Sequence, residues 1–483
     1  MTCLLRLYIL VIACILGVSS NETASAIEGC EYYISSIYCE GANWQTLPKL
    51  LASEDADWMF LSLRYNFLTT IESGSLPSGL TGIDFRNNPL LTIDPTAFNE
   101  SSNSIHQLFF SDAKFTQIPA ALAELNALTD LSIEDTYIYT WDDNTMKHIG
   151  LTLVTLKLDN VSLSSWPEWL QYFPHLQTLE MTCQFPSIPD NAFDGQADML
   201  MTLTLINGNL TETPYAFSNI SFLSTLVLDN NNISRLNSLP NSGSLSSFSI
   251  TNNRLSNATH LSGVLRSVAN SLFYLHLEGN QLSSFPDLSF MKKLLKVYLS
   301  YNSISDTSSG SIPTSVSYLE AENNTIRSLA GFLSQAANLE YLKLMGNLIA
   351  NFTGDEIPSK VSYLDLSKNL ITELNETSFP TKNSLGLIFL DYNPISVISP
   401  FAFTNLTKLI SLSLKGTQLA RLPLALGSVT KLLSLDMSES SNLVCTCEEK
   451  QVRSWYLSRP LTFYGVCGPL SISNFLNVLS QGC

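Results

Sequence analysis

Four cysteines crowd the end of the chain, three of them within LVCTCEEKQVRSWYLSRPLTFYGVCGPL (Leu443–Leu470). Cys445 and Cys447 are separated by one residue, Cys467 precedes Gly468-Pro469, and Cys483 follows. A C-x-C pair can clasp a metal, cycle as a redox couple, or supply halves of two disulfides. A closed structural zinc site takes four ligands, whereas a redox pair is normally C-x-x-C beside a βαβ unit. The compartment weighs among these readings, because thiolates do not persist where disulfides form.

Other reactive side chains are sparse. Of the five histidines, His106 and His276 fall on exposed strand positions and His148, His175 and His260 in connecting segments. None stands in an H-E-x-x-H arrangement, and neither a phosphate-binding G-x-x-x-x-G-K-S/T loop nor a kinase signature occurs. Asp142-Asp143 reads as a solvated loop in preference to a calcium site. No catalytic residue, metal or cofactor is expected.

The elements that would position any site begin with an address. Arg6 precedes twelve apolar residues, Leu7 to Val18, and then Ala24-Ser25-Ala26, the layout of a cleaved signal peptide over residues 1–26. A membrane span needs about 20 apolar residues, and no segment reaches that length, so no span is expected in this chain. Export predicts disulfides and glycosylation. N-x-S/T sequons occur at Asn99, Asn160, Asn209, Asn219, Asn232, Asn257, Asn323, Asn351, Asn375 and Asn405. With a net charge of −17 and no basic run among 483 residues, a nucleic-acid partner is not expected.

Self-similarity dominates the rest. LSTLVLDNNNI (Leu223–Ile233), LFYLHLEGNQL (Leu272–Leu282), LEYLKLMGNLI (Leu339–Ile349) and VSYLDLSKNLI (Val361–Ile371) share L-x-x-L-x-L-x-x-N-x-L. Seventeen copies start between Trp58 and Leu432, and sixteen steps over 374 residues average about 23. Alternation within L-x-L puts those leucines on one face of a short strand, and a lone strand cannot bury them, so neighbours must stack. Asn occupies the turn slot ten times: at Asn66, Asn88, Asn231, Asn253, Asn280, Asn302, Asn324, Asn347, Asn369 and Asn393. A buried amide there can bond its own and the adjacent turn. Ala113, Thr136 and Val161 replace it early, which predicts a less regular ladder. Phe98, Phe193 and Phe403 fall where a ring would plug the convex side. LSNATHLSGVLRSVANS lengthens repeat nine, predicting a convex insertion that is helical over 260–269.

The pattern resembles the typical subfamily of extracellular leucine-rich repeat proteins, including ectodomains of receptors and receptor-like kinases, without the kinase. That resemblance implies an α/β leucine-rich repeat solenoid, a horseshoe with a parallel concave β-sheet and disulfide-bonded terminal caps. It implies repeats over residues 58–443, an N-terminal cap over 27–57 and a C-terminal cysteine-rich cap over 444–483. YCEGANWQTLP resembles the closing half of an N-terminal cap, implying Cys30–Cys39. The C-x-C cluster resembles a C-terminal flanking cap, implying Cys445–Cys467 and Cys447–Cys483. Cys183, in LEMTCQF, takes an Asn slot as a buried thiol, or else serves an intermolecular disulfide.

The remaining place for function is the concave face, where the x residues of L-x-x-L-x-L point. In repeats seven to nine these are small. In repeats ten to fifteen Tyr274, Tyr318, Tyr341 and Tyr363 recur at the third position, interrupted by Lys296. Phe273, His276, Tyr298, Tyr301, Glu320, Lys343, Asp365, Phe389, Asp391 and Tyr392 lie beside them. Rigid aromatics with a few charges are what binding hot spots use; tyrosines there can equally pack sideways along the sheet. The expectation is a secreted or cell-surface, non-catalytic protein that binds a protein, peptide or glycan on this face. A secreted enzyme inhibitor and a matrix or wall adhesion protein are the alternatives.

Overall fold

The computed structural model describes residues 29–33, 35–48, 60–182, 184–240 and 243–478. The signal peptide, part of the N-terminal cap, the start of the first repeat at Trp58, Cys183 and Cys483 lie outside the described residues. The chain divides into two compact units, Met1–Thr129 and Asp130–Cys483.

The first unit opens with an antiparallel hairpin, Glu31–Tyr33 with Ser36–Tyr38, closed at its base by the Cys30–Cys39 disulfide. Ser36–Tyr38 then pairs in parallel with Phe60–Ser62, which is followed by Gly82–Asp84 and Gln107–Ser111. The hairpin gives the exposed edge of the first repeat a partner, as an open sheet end requires.

In the second unit each repeat contributes one strand, and consecutive strands pair in parallel from Asp130–Glu134 through Ser434–Asp436. In the three-residue strands the central leucine, isoleucine, valine or phenylalanine is buried while its neighbours, Ser413 apart, stay at least partly exposed; in the five-residue strands the second and fourth residues are the buried apolar pair. Opposite the sheet, Phe98, Phe193 and Phe403 are at most 1% exposed. Phe403 lies 6.1 Å from Phe379, which meets Phe352 at 5.9 Å, so the rings of three successive repeats touch on this side.

The Asn slot ends the strand in the repeats that carry it. All ten asparagines are buried. Asn302 is typical: Nδ2 donates to the Leu277 and Leu299 carbonyls (2.9 and 3.1 Å), and Oδ1 accepts the Leu282 amide (3.0 Å). The amide thus pulls the chain out of the strand after three residues. Five of the repeats lacking it run on for five: Gln107–Ser111, Asp130–Glu134, Thr155–Asp159, Thr178–Thr182 and Thr202–Ile206; Ser411–Ser413 and Ser434–Asp436, with Thr417 and Ser440 in the slot, keep three. In every repeat whose turn is described, the residue before the slot has a positive φ. It is mostly Gly, Asn or Asp, which tolerate that region, but at Tyr65, Tyr301, Lys368, Tyr392 and Glu439 a larger side chain is held there.

Three local readings change. Asp142-Asp143 is no solvated loop: Asp142 caps the helix Asp143–Gly150, accepting from the Thr145 amide at 2.8 Å. The insertion helix is Ala258–Leu265, starting two residues early because the Asn257 side chain caps it at the His260 amide. The last cap also adds a strand of its own, Thr462–Tyr464, beside Ser434–Asp436, so the sheet outlasts the repeats. Cys445 is joined to Cys467, and Cys447 is also disulfide-bonded.

Candidate functional site

Register decides which side chains meet. The strands Tyr274–His276, Lys296–Tyr298, Tyr318–Glu320, Tyr341–Lys343, Tyr363–Asp365 and Leu387–Phe389 pair in order without a slip. Their middle residues are fully buried, so first and third residues share the open face of the sheet. Six rings form a ladder there. His276 stacks on Tyr298 at 4.2 Å and 8°, and Tyr298, Tyr318, Tyr341, Tyr363 and Phe389 follow at centroid spacings of 5.2, 5.8, 5.8 and 5.2 Å. Parallel strands about 4.8 Å apart bring successive rings within stacking distance. Sideways packing therefore occurs, yet Tyr341 keeps 43% of its surface and Tyr274 39%.

Charge is built into the first half of the ladder. The Lys296 ammonium lies 5.8 Å from the Tyr274 ring centre and 5.7 Å from that of Tyr318. The Lys343 ammonium lies 5.6 Å from the Tyr318 ring and 3.4 Å from Glu320 Oε2. The Tyr318 and Ser300 hydroxyls also donate to Glu320, at 2.9 and 3.0 Å. Burial works against the Lys343 charge, but its contacts with the Tyr318 hydroxyl and Glu320 outweigh it and hold its pKa above the ordinary lysine value. Burial, then the nearby carboxylates Glu320 and Glu278, push the Tyr298 phenol up; burial and Asp365 do the same for Tyr363.

Tyr301 and Tyr392 stand in the turns, not on the strands. Tyr301 is 65% exposed. Tyr392 donates to Glu439 at 2.8 Å, and Lys415 bridges the same carboxylate at 2.8 Å. The site also includes residues the repeat pattern does not single out. Glu278 and Glu322 follow their strands by two residues and enter the same field: Glu278 Oε1 lies 3.2 Å from His276, and its Oε2 is buried without a hydrogen-bond partner. Their signal in sequence is the seventh position of the repeat, two residues beyond the last strand residue. Elsewhere, in the first unit, a cleft of about 710 Å³ is lined by Tyr33, Tyr38 and Tyr65 with Glu31 and Glu40; the ladder, by contrast, is an open wall.

None of the ten sequon asparagines is buried; Asn99, Asn209, Asn219, Asn257, Asn351 and Asn375 are exposed. Among the described residues there is no group of three or more His, Cys, Asp or Glu placed to hold a metal, and no helix long and apolar enough to cross a membrane.

Strand order, Asn ladder and convex plugs define a leucine-rich repeat solenoid. Residues 359–419 match the leucine rich repeat family. Podocan-like protein 1 of Mus musculus is 25% identical over 396 residues, 79% of this chain and 66% of that protein. Transforming growth factor beta activator LRRC33 of Danio rerio is 25% identical over 424 residues, 78% of this chain and 57% of that protein. Leucine-rich repeats and immunoglobulin-like domains protein 1 of Homo sapiens is 24% identical over 162 residues, 33% of this chain and 15% of that protein. The chain spans less than two thirds of the length of each. Of solved structures, the Leptospira interrogans LRR protein LIC12759 superposes with a TM-score of 0.60 at 21% identity, covering 82% of this chain and 93% of its own. YopM from Yersinia enterocolitica gives 0.53 at 19%, covering 90% of both. At these identities the likeness establishes the fold.

Proposed function

We propose that this protein is a non-catalytic extracellular recognition protein that binds a protein, peptide or glycan partner along the aromatic ladder of repeats ten to fifteen. The observation that carries the reading is the ladder itself. Six aromatic rings, partly exposed, occupy consecutive strands of a sheet whose buried side already satisfies the fold. Rigid rings lose little entropy on binding and dominate interface energetics. Stacked repeats extend such a surface in one direction, which suits recognition of a macromolecule. A relative named as an activator of transforming growth factor beta, matching 78% of this chain, is in keeping with a protein partner. The disulfides at Cys30–Cys39 and Cys445–Cys467, the signal-like leader and the accessible sequons support export.

Affinity capture from the extracellular fraction, with the intact chain and a Tyr318→Ala/Tyr341→Ala/Tyr363→Ala variant of unchanged Tm, tests this. The expected result is a partner identified by mass spectrometry that the variant loses. Equal capture by both chains overturns the reading.

A further inference from the structure

The two halves of the ladder differ in one respect. In the first half the carboxylates and rings already hold cations: Lys296 lies over Tyr274 and Tyr318, and Lys343 lies over Tyr318 against Glu320. In the second half Tyr341, Tyr363 and Phe389 continue the rings at 5.8 and 5.2 Å. Glu322, Asp365 and Asp391 supply the carboxylates. Yet among the described residues no lysine, arginine or histidine makes an ion pair with these three carboxylates, and none lies over these three rings. Asp365 accepts only the Ser367 amide at 2.9 Å and Asp391 the Lys415 amide at 3.2 Å, with a further contact to Ser413. The Lys415 ammonium is committed to Glu439. Burial first, then repulsion from Glu320, raises the Glu322 carboxyl; burial first, then Asp436 and Asp365, raises Asp391. Lys343 offsets part of the Glu322 charge from its seat against Glu320, but among the described residues none of the three carboxylates has an ion-pair partner.

We infer that the Tyr341–Tyr363–Phe389 end of the ladder takes an arginine side chain from an extended basic peptide segment of the partner. This rests on the reading of the ladder as the binding face. A guanidinium is planar, stacks on aromatic faces and forks between carboxylate oxygens, which an ammonium cannot do. Lys296 and Lys343 show cations seated on the neighbouring Tyr274 and Tyr318 rings at 5.6–5.8 Å, within the range of favourable cation–π contact. Five gaps of about 4.8 Å between the six strands make a wall of ~24 Å, the reach of about seven extended residues at ~3.3 Å each. The net charge of −17 steers a basic segment toward the protein before contact.

The test uses the intact chain and a fluorescein-labelled seven-residue peptide of glycine and serine carrying two arginines, beside the same peptide with citrulline, the neutral isostere of arginine. The arginine peptide is expected to bind about 10-fold more tightly than the citrulline peptide, the scale of one charge-assisted contact, and to weaken as salt rises. Asp365→Asn with Asp391→Asn should erase that preference. Glu124→Gln with Glu168→Gln, exposed positions of equal charge change, should keep it. Circular dichroism establishes folding of each variant, and Asp391→Asn alone replaces the pair if the pair does not fold. Equal binding of the two peptides, or a preference that survives Asp365→Asn/Asp391→Asn, overturns the inference. If a captured partner is lost from the tyrosine variant while the arginine peptide shows no preference, the ladder stands as the binding face and the arginine assignment falls. If the tyrosine variant also keeps its partner, both fall.

Discussion

Replacing Asn393 with alanine should destabilise the chain more than replacing Asn369, although the two side chains make nearly the same bonds. Asn369 donates to the Leu344 and Leu366 carbonyls at 3.0 Å each and accepts the Ile349 amide at 3.0 Å. Both carbonyls are shared: Leu344 also receives Asn347, and Leu366 receives Asn393. Asn369→Ala therefore orphans one buried amide and loses two redundant bonds, about 2–4 kcal/mol in all. Asn393 donates to Leu366 and Leu390 and accepts the Ile371 amide. The next slot holds Thr417, whose hydroxyl donates to Leu414, so no later side chain reaches Leu390. Asn393→Ala orphans the Ile371 amide and the Leu390 carbonyl together, adding about 1–3 kcal/mol for the second group. The two positions are in adjacent repeats, where coupling between neighbours is shared, so the comparison is internal. Urea unfolding followed by tryptophan fluorescence reads it. Equal losses for the two variants, or a loss below about 1 kcal/mol for both, would refute the shared-carbonyl reasoning.

Three further predictions follow from the same structure. Phe403→Ala should cost about 3–5 kcal/mol, because a fully buried ring of the convex layer leaves a cavity that its neighbours cannot fill; thermal unfolding measures it. Tyr301→Asn should raise the unfolding free energy by roughly 1 kcal/mol, because asparagine tolerates the positive φ of 57° that the tyrosine is held in; no gain would show that the turn is unstrained. Glu322 has a pKa raised above its ordinary 4.5, first by burial and then by Glu320. Its native state binds the proton more tightly than the unfolded chain, so its ionisation costs stability as pH rises through the window above 4.5. Glu322→Gln should therefore stabilise the chain at neutral pH and lose that advantage as pH falls below 4.5, where both states become protonated; an advantage independent of pH would contradict the assignment.

Much of this architecture is legible in the sequence because period and chemistry coincide. The Asn slot is a polar residue at fixed spacing among leucines, and only a buried amide that bonds two turns needs that placement. Phe403 is legible for the same reason, as a large apolar residue recurring where the coil must close. Effects that depend on absence are harder to see: the strands of repeats three to five, with Ala113, Thr136 and Val161 in the slot, run on for five residues, whereas Ser411–Ser413 and Ser434–Asp436, with Thr417 and Ser440 there, stop at three. Asn257 satisfies a sequon and a helix cap at once, which conceals the true start of its helix. The tyrosines of the ladder could be placed on a face, since alternation dictates it. The seating of Lys296 and Lys343 on those rings depends on side-chain rotamers, which periodicity does not encode. The open carboxylates at Glu322 and Asp391 were hidden for a related reason: whether an acid is paired is a property of its neighbours across the sheet, about 23 residues away in sequence.

Hydroxyl-radical footprinting of the captured complex tests the central claim most directly, because it reads the exposure of individual rings. The account predicts that Tyr274, Tyr341 and Tyr363 lose reactivity on binding while Tyr139 and Tyr215, exposed by 71% and 59% and outside repeats ten to fifteen, keep theirs. Protection of Tyr139 or Tyr215 with an unchanged ladder would contradict it.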